Sequence, residues 1–144
     1  MLQIPGISGA NKRSETSAVS RESEALAHQP NILLIDDNPD VLGALEAILR
    51  AAGHEVRSTT HGGDMFRLVD LLKPRLVITD VIMEEVDTLD VIVELRRLHP
   101  DIKIVAISGN PYLLTLAAKQ GADHILAKPF AAHRLNILVK AALQ

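Results

Sequence analysis

Residues 31–40 read Asn-Ile-Leu-Leu-Ile-Asp-Asp-Asn-Pro-Asp, and this stretch decides the fold. Ile32–Ile35 is apolar at four successive positions and so has no polar face. A strand of that kind is buried on both sides, as in a parallel sheet held between two helix layers. The polar residues Asp36, Asp37 and Asn38 end it, and Pro39, with its fixed φ, suits a first helical turn. Asp37 or Asn38 is placed to cap that helix. Beyond it, Val41, Leu42, Leu45, Ile48 and Leu49 recur at three- and four-residue spacing, the mark of one apolar helical stripe. Gly53 suits the helix end.

The same alternation continues along the chain without any repeat in the sequence itself. Strand-like runs cover residues 55–58, 76–79, 102–107 and 124–127, and helical stretches of about three turns separate them. Leu89, Ile92, Val93 and Leu95 form a second stripe, Leu135, Leu138, Val139 and Ala142 a third, and Gly121 suits another helix end. Five βα units in series predict an α/β fold, a doubly wound five-stranded parallel sheet with helices on both faces. Each crossover must return in the same hand, which leaves few other topologies.

Composition narrows the function. The chain has 144 residues, 47% of them hydrophobic, with a net charge of −3. That length supports one core. Without cysteine there is no disulfide framework, thiolate zinc site or cysteine nucleophile, and a reducing compartment is expected. No block of Lys and Arg supplies a nucleic-acid surface, and Phe66, Tyr112 and Phe130 make no stacking platform. No apolar run approaches the roughly 20 residues of a membrane span, and the N-terminus lacks the regions of a signal peptide. A cytoplasmic protein without a membrane partner is expected. Residues 1–30 differ from the rest, with Ser8, Ser14, Thr16, Ser17, Ser20 and Ser23 among small side chains. Such a segment cannot offset its ordering entropy, so a flexible tail is expected there and a folded domain over 31–144. A partner-induced helix over 14–28 is the functional alternative.

In an open parallel sheet, ligands bind beyond the carboxyl ends of the strands. The first run ends in Asp36-Asp37, the third in Asp80, the fourth in Ser108-Gly109 and the fifth in Lys128-Pro129. Each has a simple local explanation as a cap, a turn residue or a solvated charge. Together they gather three carboxylates, a hydroxyl and an ammonium at one edge. Carboxylates so placed repel one another unless a cation neutralises them, and hard oxygen ligands select Mg²⁺ or Mn²⁺ over zinc.

With these four strand-end positions in this order, residues 31–144 resemble the receiver domains of response regulators in two-component signalling. The resemblance implies a flavodoxin-like strand order 2-1-3-4-5. It implies that Asp80 accepts a phosphoryl group from a phosphohistidine on a sensor histidine kinase or a histidine phosphotransfer protein. Asp37, Asp80 and the backbone carbonyl of Ile82 would ligate Mg²⁺ directly, and Asp36 would hold it through water. Lys128 would place its charge on a phosphoryl oxygen, and the Lys128-Pro129 bond would be cis. Ser108 would donate its hydroxyl only when the phosphoryl group is present, which makes it the switch. The domain would be a signalling module rather than a multiple-turnover enzyme. Its output would be an unidentified partner protein, onward transfer in a relay, or a homodimer.

Three features depart from the family pattern. The loop after Asp80 reads Met83-Glu84-Glu85-Val86-Asp87-Thr88, with added acidic charge near the metal. Thr88 replaces a residue of permissive φ, so an altered or strained turn is expected. The aromatic switch residue usual three positions before the lysine is Ile125, with His124 and Tyr112 as nearby substitutes. Ile82 and Asn110, each two past a key site residue, hold the positions that tune dephosphorylation. Ile82 offers no group to position water, which predicts slow hydrolysis, although Asn110 remains able to do so. The six histidines (28, 54, 61, 99, 124 and 133) show no helical pairing and no companion carboxylate at ligand spacing. Gly62-Gly63 lacks the spacing of a phosphate loop, and no Gly-x-Gly-x-x-Gly follows the first strand. Two other readings compete: a receiver-like interaction module that no longer takes phosphate, and an aspartyl-phosphate hydrolase. The hydrolase pattern places its nucleophile after the first strand with a second Asp two residues on, whereas Asp36 and Asp37 are adjacent.

Overall fold

In the computed structural model, which describes residues 30–83 and 86–144, strands and helices alternate as the hydrophobic pattern predicts. In chain order they are β1 (Ile32–Ile35), α1 (Pro39–Ala51), β2 (Val56–Thr59), α2 (Met65–Leu72), β3 (Leu76–Asp80), β4 (Ile82–Met83) and β5 (Val86–Asp87). There follow α3 (Thr88–Leu98), β6 (Lys103–Ser108), α4 (Pro111–Gln120), β7 (His124–Ala127) and α5 (Ala132–Leu143). Five strands form one parallel sheet in the order β2-β1-β3-β6-β7, the expected 2-1-3-4-5 of its parallel members.

Two apolar layers explain why β1 has no polar face. Successive strand side chains point to opposite sides. Leu33, Ile35, Val77, Ile104 and Ala106 therefore join Met65, Leu68, Leu72, Ile92, Leu95 and Ala117 from α2, α3 and α4. Ile32, Leu34, Ile78, Val105 and Ile107 join Leu42, Leu45, Leu49, Leu135 and Val139 from α1 and α5 on the other side. Each fully buried aliphatic side chain contributes roughly 1.5–3 kcal/mol of transfer free energy.

The helix ends follow local chemistry. Pro39 and Pro111 open α1 and α4, and the preceding Asn38 and Asn110 cap them. Gly53 and Gly121, at φ 92° and 122°, end α1 and α4 in a conformation that costs a side chain about 1 kcal/mol or more. The structure differs from the sequence reading in three places. Strands β2 and β6 run one residue later than the apolar runs, because the carbonyl of Glu55 accepts from Asn31 and the N–H of Ile102 turns back to His99. Helix α2 has eight residues, two turns rather than three, and ends at Lys73 with φ 48° before Pro74. A two-stranded antiparallel hairpin, β4 with β5, occupies the loop after Asp80. The tail expected over residues 1–30 lies, except for Pro30, outside the described residues, as do Glu84 and Glu85. Among the described residues, no helix is long and apolar enough to cross a membrane.

Ile104, fully buried in the α2–α3–α4 layer, and Leu71, 61% exposed on α2, carry side chains of similar size. Ile104→Ala should lower unfolding free energy by about 2–5 kcal/mol and Leu71→Ala by less than about 0.5, as measured by urea denaturation with an unchanged slope.

Candidate functional site

Because the five strands run parallel, their carboxyl ends share one edge, and the backbone just beyond them sets the site. Asp36 directly follows β1 and is 2% exposed, with its Oδ1 accepting the N–H of Asn38 at 2.9 Å. Asn38 caps α1, its Oδ1 accepting from the N–H groups of Asp40 (2.9 Å) and Val41 (3.4 Å). That settles which of the two candidates is the cap and leaves the exposed Asp37 carboxylate to the edge itself. On β3, Asp80 is the last residue of the strand and accepts the N–H of Ile82 on Oδ1 at 3.0 Å. Thr79, buried beside it, donates to the Asp80 carbonyl at 3.0 Å.

Lys128 closes the arrangement from the far side. Its Nζ lies 3.2 Å from Asp36 Oδ2 and 3.2 Å from Asp80 Oδ2, and its backbone N–H donates to the Ser108 carbonyl at 2.9 Å. The Lys128–Pro129 peptide bond is cis. Ser108, last in β6 and 1% exposed, accepts the Asn110 N–H on Oγ at 3.0 Å.

The electrostatics express burial against charge. Burial pushes the Asp36 carboxyl above its usual range and the Asp80 carboxylate adds to this, while the Asn38 N–H and Lys128 pull the other way. For Lys128, burial disfavours the ammonium, but the attraction of Asp80 and Asp36 outweighs it and raises its affinity for the proton. One oxygen from each of Asp36, Asp37 and Asp80 lies within 4.8 Å of the others. These are hard oxygen donors with no sulfur or imidazole among them, so the cluster suits a divalent cation such as Mg²⁺ or Mn²⁺ and not zinc.

The family model of the response regulator receiver domain matches residues 32–140. The chain belongs to that family. It is 36% identical over 114 residues to the DNA-binding transcriptional regulator NtrC of Azospirillum brasilense, covering 78% of this chain and 24% of that one. The crystal structure of the NtrX receiver domain from Brucella abortus superposes with a TM-score of 0.74 at 31% identity, covering 78% of this chain and 97% of that one. A solution structure of a beryllofluoride-activated NtrC4 receiver domain dimer superposes with a TM-score of 0.72 at 25% identity, covering 78% and 94%. The chain spans from about a quarter to half the length of the curated relatives it matches. It is thus a receiver domain of two-component response regulators, a signalling module.

The receiver edge brings Asp36, Asp37, Asp80, Ser108 and Lys128 together, and the expected peripheral residues fall around it. Ile82 sits beside Asp80 with its side chain 56% exposed. Asn110 uses its side-chain oxygen to cap α4, so that atom is committed to Tyr112 and Leu113. Ile125, 41% exposed, lies mid-strand on β7, paired with Ala106. The strain expected at Thr88 is absent: the residue is the first of α3, behind the Asp87 cap, and Lys73 is the only non-glycine residue with positive φ among those described.

Sequence reading missed two contributors to the site. Gly62 lies under the hairpin, where a Cβ would stand 2.9 Å from Met83 Cε and 3.1 Å from Val86 Cγ2. A cavity of about 560 Å³ beside Asp37 is walled by Thr60, His61, Met83 and Val86. At the opposite end of the sheet, away from the site, His99 Nε2 lies 3.2 Å from Asp70 Oδ1. No spacing rule links two residues on different helix ends, so only the fold reveals that pair.

The raised affinity of Asp36 for its proton has a direct consequence. Its contribution to stability is present below 3.8 and is lost as pH rises through the raised folded value, beyond which the buried carboxylate is a burden. In chelator at neutral pH, Asp36→Asn should therefore be more stable than the parent. Urea unfolding followed down through pH 3.8 should show the gap close, and a gap independent of pH would contradict the assignment.

Proposed function

We propose that this domain accepts a phosphoryl group on Asp80 from a phosphohistidine of a sensor histidine kinase or a histidine phosphotransfer protein. The observation that carries the reading is Lys128 Nζ held 3.2 Å from both Asp36 and Asp80, one strand away from the Ser108 hydroxyl. A carboxylate oxygen of Asp80 attacks phosphorus, the P–O bond forms, and the P–N bond breaks. The electron pair leaves on the donor imidazole, which picks up a proton from solvent. Lys128 offsets the charge on a phosphoryl oxygen, and the Ser108 hydroxyl, whose oxygen already accepts from Asn110, is free to donate to another.

Asp37, Asp80 and the Ile82 carbonyl would hold Mg²⁺ or Mn²⁺ directly and Asp36 through water. The ion supplies a Lewis acid for the phosphoryl oxygens. Asp36 has a further duty, since its contacts to Lys128 and to the Asn38 N–H fix the lysine and the start of α1 together.

Phosphorylation then shifts the population of two arrangements around Ser108, and an output partner or a second copy of the domain reads the change. The NtrC relative is a DNA-binding regulator and the NtrC4 neighbour a dimer, which supports a regulatory output and a homodimer as one of its forms. The sequence holds no block of Lys and Arg that would make a nucleic-acid face of its own. A cytoplasmic location goes with the reading, because the donor is a kinase-borne phosphohistidine and the chain has no cysteine for an oxidising compartment. The domain acts as an acceptor, not a multiple-turnover enzyme, and the lifetime of its acyl phosphate is long. Ile82, exposed and aliphatic beside Asp80, holds no water in line for hydrolysis.

Incubation with acetyl phosphate and Mg²⁺ should add one phosphoryl group by intact mass. The adduct should disappear in chelator and in Asp80→Asn. Its decay should quicken by roughly tenfold or more in Ile82→Asn, a fraction of the ~10²–10⁴-fold that a well-positioned proton-transfer group contributes. No adduct on folded, metal-supplied protein, including with a phosphohistidine donor, would leave the phosphate-independent interaction module as the better account.

A further inference from the structure

Gly62 and Gly63 are adjacent in the sequence, yet only one of them is crowded. A Cβ on Gly62 would stand 2.9 Å from Met83 Cε, 3.2 Å from Met83 Sδ and 3.1 Å from Val86 Cγ2, whereas a Cβ on Gly63 would meet nothing within 4 Å. Gly62 is buried, and its φ lies outside the left-handed region that Gly53 and Gly121 occupy. The position therefore uses the missing side chain and not the backbone freedom of glycine. The loop beneath the hairpin is held from both sides. The His61 N–H donates to Thr59 Oγ1 at 3.0 Å, the Asp64 N–H donates to the His61 carbonyl at 3.0 Å, and the turn Gly62–Asp64 runs straight into α2. Above it, Met83 is buried in the layer formed with α2 and α3, and the branched side chain of Val86 is stiff at χ1. Ile82, the residue before Met83, pairs with Asp87 across the hairpin. Along an antiparallel strand the N–H and C=O of one residue lie on the same edge. The Ile82 N–H donates to Asp80 Oδ1 at 3.0 Å, so the Ile82 carbonyl is turned to the carboxylate edge as well.

We propose that Gly62 is a positioning residue for the divalent cation: by admitting Met83 and Val86 against its backbone, it sets the height of the β4–β5 hairpin and so places the Ile82 carbonyl relative to Asp37 and Asp80. The inference rests on the reading of Asp37, Asp80 and the Ile82 carbonyl as cation ligands. Two contacts fix that carbonyl. Asp80 Oδ1 holds the N–H of Ile82, and the seat on Gly62 holds the next residue, Met83. A side chain at position 62 pushes the second contact outward while the first stays, which tilts the Ile82 peptide away from the carboxylates. The cavity of about 560 Å³ beside Asp37 borders Met83 and gives its flexible end room to yield to a single methyl, so alanine is a mild probe and valine a strong one. Charge is unchanged in either case, so any loss of cation affinity comes from geometry.

The full chain is titrated with Mn²⁺, the free ion is counted by electron paramagnetic resonance, and urea unfolding in chelator checks that each variant folds. Gly62→Val should weaken binding by about 10–100-fold, the usual cost of disturbing the groups that orient a metal ligand, and Gly62→Ala by about threefold. Gly63→Val, whose Cβ meets no neighbour, should bind as the parent does. Adding Met83→Leu to Gly62→Ala withdraws the terminal methyl and should restore the parent's affinity. A purely structural role for Gly62 would lower stability and leave the affinity of the folded protein unchanged, and that result overturns the proposal. Equal losses in Gly62→Val and Gly63→Val overturn it too. In both of those cases the cation site stands, because Asp80→Asn removes the parent's binding. A parent that binds no Mn²⁺, or binds it equally well as Asp80→Asn, overturns the cation site and the proposal together. If Gly62→Val does not fold, the loss in Gly62→Ala and its recovery with Met83→Leu decide the matter.

Discussion

The ammonium of Lys128 stands between two carboxylates that the fold has largely withdrawn from water. Asp36 follows β1 and Asp80 ends the neighbouring β3, and the parallel register that pairs Ile35 with Thr79 brings them together whether or not a cation is present. Burial already disfavours the charged form of Asp36, and the second carboxylate adds to the burden. Without Lys128, the fold would hold like charges apart only by protonation or by opening the edge. With it, three carboxylates and one ammonium leave a surplus of two negative charges, which is what a single divalent cation balances.

How the fold holds these groups in place is visible in a feature shared by four strand ends. Asp36, Thr59, Asp80 and Ser108 each accept, through a side-chain oxygen, the N–H of the residue two positions on. The same small turn thus closes β1, β2, β3 and β6, satisfying a backbone donor just where the sheet ladder stops. After β1 and after β6 the next step is also shared, an asparagine cap followed by proline. A side-chain oxygen used this way is fixed in rotamer before any ligand arrives. Preorganisation of that kind reduces what binding must order.

Much of this was legible in the sequence, because the two periodicities that define strands and helices also define the edge. Ile32–Ile35 predicted a doubly covered strand, and the residues after each run predicted Asp36, Asp37, Asp80, Ser108 and Lys128 at one end of the sheet. The bounds of β2 and β6 slipped by one residue because an apolar side chain can be buried without its backbone joining the ladder, as with Ile102. The buried set Met65, Leu68, Val69 and Leu72 is a helical stripe of only two turns, easy to overlook between longer ones. The β4–β5 hairpin and its seat on Gly62 were not legible at all. Two-residue strands carry no period, and a glycine kept for a close approach looks like any loop glycine until Met83 and Val86 are seen above it.

The departures from the family pattern divide along the same line. At the centre, Asp36, Asp80, Ser108 and Lys128 are each hydrogen-bonded into place. At the rim, Ile82 is exposed and aliphatic, Ile125 has no ring, and the chain after Asp80 forms the β4–β5 hairpin, whose last residue, Asp87, caps α3. Charge and register constrain the centre tightly, since moving any one member leaves a buried carboxylate or ammonium unpaired. The rim answers to weaker demands, since the exposed side chains of Ile82 and Ile125 hold no buried charge in place. Substitution there leaves the hydrogen bonds that tie Asp36, Asp80, Lys128 and Asn38 together untouched, so the rim is free to vary where the centre is not.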